Sequence, residues 1–75
     1  MLELVEYIAK SLASKPEEVK VTEVEEDGRL ILRLEVADED KGKIIGREGR
    51  VAQAMRVVLR VAAVKEGTRA TLEIV

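Results

Sequence analysis

A glycine-rich, basic segment, GKIIGREGR, occupies residues 42–50 and lies between two stretches of helical pattern. Its glycines at 46 and 49 bracket two charged residues, and this spacing predicts a tight turn between helices, because glycine adopts positive φ without steric cost. The first amides of a helix have no partner within the helix and attract anions such as phosphate. Three cations surround the same turn: Lys43, Arg47 and Arg50. The segment therefore predicts a phosphate-binding loop at the start of the second helix.

Three kinds of phosphate-binding loop contain such glycines, and the spacing excludes two of them. A nucleoside-triphosphate loop requires GxxxxGK followed by Ser or Thr, which this chain lacks. A dinucleotide loop requires GxGxxG directly after a strand, whereas this segment reads GxxxGxxG and follows a short helix. The third is the GxxG turn between two helices, which clamps the backbone of about four single-stranded nucleotides. The order of elements favours the third, and a turn that only reverses the chain is the alternative.

The N-terminal half predicts a helix followed by a β-hairpin. Residues 2–13, LELVEYIAKSLA, carry apolar residues at helical spacing, and proline at position 16 disfavours helix in the residue before it. Residues 19–36 contain two β-prone runs separated by Asp27-Gly28, a strong hairpin signal. The second run alternates cleanly, with its leucines on one face. The first alternates less well, which indicates either an edge strand or a bulge.

The C-terminal half predicts two helices and a strand. Residues 38–45 suit a short helix with Asp38 as its N-cap and acidic residues near the positive end of its dipole. A longer helix is expected over residues 49–65, with Gly67 as its C-terminal stop. The closing residues 68–75, TRATLEIV, predict a strand. The predicted order is helix, strand, strand, helix, helix, strand.

The motif and this order together resemble a known family. The stretch IIGREGRVA, residues 44–52, is similar to the (I/V)IGxxGxx(I/V) core of KH domains, and the element order resembles their type II form. With the opening LVEYIAKSL and the closing EGTRATLEIV, the chain resembles the KhpA family, also called YlqC, of small single-domain bacterial KH proteins. The likeness covers essentially the whole chain, so we expect a single KH domain over residues 1–75 rather than a fragment of a larger factor. It implies an α+β fold in which three helices pack on one face of a three-stranded sheet.

The resemblance also implies a site for single-stranded RNA. Carried onto this sequence, the RNA-binding residues are Lys43, Ile44, Ile45, Gly46, Arg47, Glu48, Gly49 and Arg50. One of the two isoleucines should face the core, and the other, with a residue of the second strand, should form an apolar groove floor under the bases. Glu48 departs from the family, whose members often carry a neutral or basic residue there, and its carboxylate should weaken phosphate binding.

The long helix carries two further basic residues with two interpretations. Arg56 and Arg60, four residues apart, either extend the basic track beyond the loop or form the solvated stripe of their helix. Lys65 and Arg69 are expected to be surface charges, and the only aromatic residue, Tyr7, is expected to be half-buried packing.

The same helix has more apolar surface than one sheet contact requires. The residues expected to face the sheet are Val51, Met55, Val58, Leu59 and Ala62. A further strip consists of Ala54, Val57, Val61 and Val64. Because β-branched residues are mediocre helix formers, valines on a solvated face need an explanation. Either the first helix covers this strip or a second subunit does, which would make a homodimer. The resemblance favours self-pairing and adds a larger KH-containing partner of the kind named KhpB, Jag or EloR.

The composition excludes several classes of function. The 75 residues include no Cys and no His, so thiolate or imidazole metal sites and the commonest general base are absent. We expect no catalytic residue, no metal and no cofactor. The first residues lack the pattern of a signal peptide and no long apolar run occurs, which favours a cytoplasmic protein. The net charge of −2 divides into −7 for residues 1–40 and +5 for residues 41–75, so the basic loop lies in a basic half.

Two functions follow from these observations. The first is a non-catalytic RNA-binding module that clamps single-stranded RNA at the GxxG loop, as a homodimer or with a KH partner. The second is a protein-interaction module in which the KH fold is scaffolding, supported by Glu48 and the overall acidity. Salt-dependent RNA binding that requires the loop would separate them.

Overall fold

Alternating leucines in the middle of the chain form the central strand of the sheet. The computed structural model describes residues 1–75 and contains three strands, β1 (Lys20–Glu26), β2 (Arg29–Glu35) and β3 (Arg69–Ile74), in the order β1-β2-β3. β1 pairs antiparallel with β2, and β3 pairs parallel with it. Leu32 and Leu34 of β2 are completely buried, whereas Arg33 between them is exposed, so one face of the sheet is covered.

The β1–β2 hairpin has the predicted turn. Asp27 and Gly28 both have positive φ, 52° and 75°, as a two-residue turn of the I′ type requires. The register runs without interruption from Lys20 opposite Glu35 to Glu26 opposite Arg29. Of the two interpretations of the first β-prone run, the edge strand is therefore confirmed and the bulge is wrong.

Three helices cover the buried face of the sheet, as predicted. They are α1 (Leu2–Leu12), α2 (Lys41–Ile45) and α3 (Arg50–Lys65), with 3-10 turns at Pro16–Glu18, Asp38–Asp40 and Arg47–Gly49. Their apolar residues join the strand leucines in one core, whose buried members are Val5, Ala9, Val19, Leu32, Leu34, Ile44, Met55, Leu59 and Leu72. The α+β fold class and the predicted element order are confirmed. No helix has both the length and the apolar character needed to cross a bilayer.

The face that α3 turns to the sheet differs from the predicted one. Met55 and Leu59 are buried as expected, but the other buried residues of the helix are Ala52 and Ala63. Val58 is 41% exposed, so its assignment to the sheet face was wrong. Small alanine side chains let the helix backbone approach the sheet, whose leucines already fill the space between the layers.

Tyr7 is also more exposed than predicted. It lies on the outer face of α1 and is 72% exposed, so it is not a half-buried packing residue. The inner face of α1 presents Val5 and Ala9 to the core.

The parallel pairing of β2 and β3 determines where the glycine segment lies. α2, the glycine turn and α3 together form the connection between the two strands, and α3 must run back along the sheet to reach the start of β3. At 1.5 Å per residue its 16 residues span about 24 Å. The glycine turn therefore lies at one end of the sheet, and the C-terminal end of α3 lies near the first residues of β2 and β3.

Candidate nucleic-acid interface

The glycine turn has a backbone that only particular residues adopt. Gly46 follows α2 with φ 80° and ψ 171°, a region that is essentially restricted to glycine. Glu48 and Gly49 then both lie in the left-handed region, with φ 57° and 74°. α3 starts immediately afterwards at Arg50. The predicted GxxG turn between two helices is therefore present.

The two glycines are required for different reasons. A Cβ atom on Gly46 would lie 2.4 Å from Cγ2 of Val51 and 2.9 Å from its backbone nitrogen, so no side chain fits there. A Cβ atom on Gly49 would meet nothing within 4 Å. Glycine is therefore needed at position 49 only because φ is positive there, and the absence of a side chain leaves open space beside the first turn of α3.

The amides at this turn are partly occupied. The Gly49 amide donates to the Gly46 carbonyl at 3.1 Å, and the Arg50 amide donates to the Arg47 carbonyl. No side chain caps the start of α3. The sequence prediction of unpaired amides at the helix start is wrong for Gly49 and Arg50, because the 3-10 turn uses both.

The two isoleucines of the motif face in opposite directions. Ile44 is completely buried in the core, whereas Ile45 is 41% exposed beside the turn. The expectation that one faces the core is met, and Ile45 is the residue that remains to line a groove.

The cations around the turn are exposed, but they do not share one environment. Arg47 makes no ion pair within 4.0 Å. Arg50 lies 3.4 Å from the Glu48 carboxylate, and both side chains are more than two-thirds exposed. Lys43 donates to the hydroxyl of Ser14. Glu48 therefore competes with any external anion for Arg50, and such exposed pairs are weak enough to be broken.

A groove lies between α3 and β3. Two adjoining cavities of about 370 and 170 Å³ share Arg60, Ala70 and Thr71. Arg56 lines the smaller one and is partly buried. Both arginines thus line a groove rather than a plain solvated helix face, which favours the first of their two interpretations.

Two further arginines line this groove that the sequence analysis did not assign to RNA binding. Arg29 and Arg69 line the larger cavity together with Arg60. Arg69 was expected to be an ordinary surface charge, and Arg29 lies thirty-one positions before Arg60 in the sequence. Only the parallel register, which pairs Arg29 with Arg69, brings them together.

The acidic cluster before α2 has a role other than the predicted one. Asp38 makes no capping hydrogen bond, so its assignment as an N-cap is wrong. Asp40 is buried instead, and its carboxylate accepts hydrogen bonds of 3.0 Å from the amides of Ser14 and Lys15. These backbone hydrogen bonds hold the pKa of Asp40 below its ordinary value. The carboxylate thereby fastens the end of α1 to the start of α2.

Lys15 and Glu39 strengthen the same junction from outside. Their side chains form an ion pair of 2.7 Å. The hydrogen bond and the charge of Glu39 raise the pKa of Lys15 above its ordinary value.

The valine strip of α3 lies on the side of the helix opposite the sheet. Val57, Val61 and Val64 are 51%, 53% and 71% exposed, and Ala54 is exposed beside them. Of the two alternatives for this strip, cover by α1 is therefore wrong, because α1 packs on β1, at the opposite edge of the sheet from α3 and β3. The four residues form an uncovered apolar surface, called here the valine ridge.

Relatives of this chain were found by sequence. A family model described as KhpA/KhpB, KH domain, matches residues 2–74. Proteins named RNA-binding protein KhpA from Clostridium perfringens and Clostridium acetobutylicum are each 52% identical over 75 residues, which is all of this chain and all of theirs. One from Caldanaerobacter subterraneus is 47% identical over the same length.

Solved structures share the fold at low sequence identity. A variant of Aquifex aeolicus Era bound to GDP and AlF4− matches with a TM-score of 0.61 and 21% identity, over 97% of this chain and 28% of the Era chain. Era in complex with MgGDPNP and a segment of 16S ribosomal RNA matches with a TM-score of 0.60 at the same identity and coverage. The full-length sequence relatives, the family model and the observed GxxG turn agree, and the chain belongs to the KhpA/KhpB family of KH-domain proteins.

Proposed function

We propose that this chain is a non-catalytic RNA-binding protein that clamps single-stranded RNA at the turn Gly46–Gly49. The observation that carries the proposal is the turn itself: a glycine-only backbone at the start of α3, open space at Gly49 and exposed cations on both sides. Such a turn allows a phosphate backbone to approach main chain closely. Relatives identical at about half of their positions carry the name RNA-binding protein, which supports the same ligand class here.

In the proposed clamp, both the backbone of the turn and the side chains around it contact the RNA. Arg47, exposed and without an ion pair, meets the phosphates first, and Arg50 joins when it leaves Glu48. Ile45 lies under the bases as the apolar part of the groove. From the turn the strand follows α3, where Arg56 and Arg60 line the groove. Contacts to phosphate make the binding sensitive to salt. Because neither phosphate contacts nor apolar packing under the bases reads the hydrogen-bonding edges of the bases, the binding is only weakly selective for sequence.

The test changes the loop and leaves its glycines in place. The double variant Arg47→Asp/Glu48→Asp reverses the charge at position 47 and keeps a carboxylate at position 48, where aspartate tolerates the positive φ. A pool of labelled single-stranded RNA is titrated with both proteins at two salt concentrations. We expect the unaltered protein to bind, to bind less tightly at higher salt, and the variant to lose binding while its circular dichroism spectrum is unchanged.

The control separates the loop from net charge. Lys20→Glu makes a charge change of the same size on β1, at the sheet edge remote from the groove. It should bind RNA as the unaltered protein does. Equal binding by the loop variant and the unaltered protein would contradict the proposal.

The valine ridge favours a second function beside the first, the pairing of two chains. Three valines more than half exposed on one helix form an apolar surface of the kind that marks protein interfaces. A ridge along a helix can pack against its own copy about a two-fold axis. We propose a homodimer through this ridge, and the same surface would serve a larger KH-containing partner. If the loop variant binds RNA no less than the unaltered protein, pairing becomes the leading function.

A further inference from the structure

Three arginines from three different elements line the larger cavity, at the end of α3 that is remote from the glycine turn. Arg29 begins β2, Arg69 begins β3, and Arg60 lies on α3. The cavity encloses about 370 Å³, toward the lower end of the range for ligand pockets. Thr68 donates from its hydroxyl to the carbonyl of Gly28 at 3.5 Å, which ties the hairpin turn to the loop before β3.

The arginines of this cavity form no ion pair within the chain. Arg29 and Arg69 are direct partners in the parallel register, and like charges on neighbouring strands destabilise a sheet. None of the three arginines has a carboxylate within 4.0 Å. Glu26, opposite Arg29 on β1, forms no ion pair with it either. An anion in the cavity would remove this repulsion.

We propose that Arg29, Arg60 and Arg69 form a second phosphate-binding site, which holds the backbone of an RNA strand already clamped at the glycine turn. The proposal rests on the proposed function and extends the RNA site beyond the loop. Guanidinium groups bind phosphate through paired hydrogen bonds, and three arginines are among the residues that line this cavity.

The spacing of the two sites fits one continuous strand. Ten residues of helix separate Arg50 from Arg60, which is about 15 Å at the helical rise. A stacked strand advances about 3.4 Å per nucleotide, so about four nucleotides beyond those clamped at the turn cover that distance. Arg56 lines the smaller cavity between the two ends, which gives the strand an intermediate cation. A short RNA held at the turn therefore lacks the length to engage both sites fully, and a longer one has it.

The test compares short and long RNA on one variant. Arg29→Gln/Arg69→Gln removes two of the three cations and leaves the glycine turn and α3 unchanged. Binding is measured with mixed-sequence single-stranded tetramers, by amide chemical-shift titration, and with twelve-nucleotide strands, by fluorescence anisotropy over a salt series. We expect tetramer affinity to stay within about twofold, whereas the longer strands bind more weakly. The slope of log K against log salt should become shallower by about 0.7 for each phosphate that the variant no longer neutralises.

Two further proteins control for charge and folding. Lys20→Gln/Arg33→Gln removes two cations from the same sheet away from the cavity and should leave both RNAs and the salt slope unaffected. Arg29→Lys/Arg69→Lys keeps the charge and should bind the longer strands with intermediate affinity, because lysine lacks the paired donors.

Three results would overturn the second site. The first is an unchanged salt slope when Arg29→Gln/Arg69→Gln binds the longer strands. The second is an equal loss of affinity of that variant for tetramers and for longer strands. The third is an equal loss of affinity in the control Lys20→Gln/Arg33→Gln. If the unaltered protein binds neither RNA, the proposed function fails and the second site fails with it. Binding of both RNAs by every variant alike leaves the proposed function standing and refutes the second site alone.

Discussion

The two glycines of the loop show how one residue type meets two separate demands. Gly46 combines a backbone reserved for glycine with contact against Val51, whereas Gly49 needs only a positive φ. The sequence motif makes the two positions look equivalent. The structure separates them by what surrounds them.

Alanine at the two positions should therefore have unequal costs. For Gly49→Ala, we expect a loss of about 1–2 kcal/mol in the free energy of unfolding, the cost of a left-handed backbone with a side chain. For Gly46→Ala, backbone strain and overpacking against Val51 add to about 2–6 kcal/mol. Urea unfolding followed by far-UV circular dichroism measures both. Equal losses of unfolding free energy in the two variants would show that Val51 moves aside and that its contact with a side chain at position 46 adds no cost.

Glu48 should limit RNA affinity through Arg50. Two charges about 4 Å apart in water interact by about 1 kcal/mol, which corresponds to about fivefold in affinity. We expect Glu48→Gln, which removes the carboxylate that contacts Arg50, to bind the twelve-nucleotide strands roughly two- to fivefold more tightly. Glu3→Gln, on the exposed face of α1, is the control for net charge. An unchanged or weaker affinity would mean that Glu48 orders the loop rather than competing with RNA.

Among the elements, the junction of α1 and α2 depends on one carboxylate. Asp40 accepts hydrogen bonds from the amides of Ser14 and Lys15, which lie in the loop directly after α1. α2 leads directly into the glycine turn. The position of the loop therefore depends on a contact that Asp40 makes outside it.

This junction should make stability fall in acid. Because the folded pKa of Asp40 lies below its ordinary value of 3.8, its contribution is complete above that pH and is lost as the pH falls toward the lowered value. Asp40→Asn should be less stable at pH 7, because the amides of Ser14 and Lys15 donate to different carboxylate oxygens and the variant replaces one of these oxygens with an NH2 group that cannot accept. Urea unfolding from pH 7 down to about pH 3 should show the two proteins converging. A constant difference across that range would contradict the assignment.

The elements that local sequence defines were predictable, and those that depend on tertiary pairing were not. The Asp27-Gly28 turn and the stop at Gly67 follow from backbone preferences, and both lie where the sequence indicated. Asp40 could not be separated from Asp38 by its neighbours, since its partners lie twenty-five and twenty-six positions away. The α3 face was misassigned at Val58 because helical spacing alone leaves the rotation of a largely apolar helix open.

At the scale of the whole molecule, the single helix α3 contributes to three surfaces. Its start holds the glycine turn, one flank borders the arginine groove, and the side away from the sheet bears the valine ridge. The arginine-lined groove and the valine ridge share Val64, which lines the larger cavity, and no other residue. RNA in the larger cavity and a second chain on the ridge would therefore meet at Val64.

The pairing of chains has a direct test. We expect the unaltered protein to have twice the 8.3 kDa mass of one chain by light scattering, and Val61→Glu to be monomeric, because it places a charge in the middle of the ridge. Val24→Glu alters an exposed valine on the open face of the sheet and should leave the mass unchanged. A monomeric unaltered protein would refute the homodimer.

The parallel pairing of β2 and β3 also affects how fast the binding site forms during folding. The hairpin of β1 and β2 closes across two residues, whereas Arg29 and Arg69 pair across forty positions of chain, and such distant pairings form slowly. Until β3 joins, Leu32 and Leu72 lack each other as neighbours, and the groove beside α3 has only one wall. We therefore expect the glycine turn to form early from local chain and the rest of the site to form last, when β3 pairs with β2. In a refolding experiment, long RNA should therefore be captured later than the hairpin forms, at the rate at which the sheet gains its third strand.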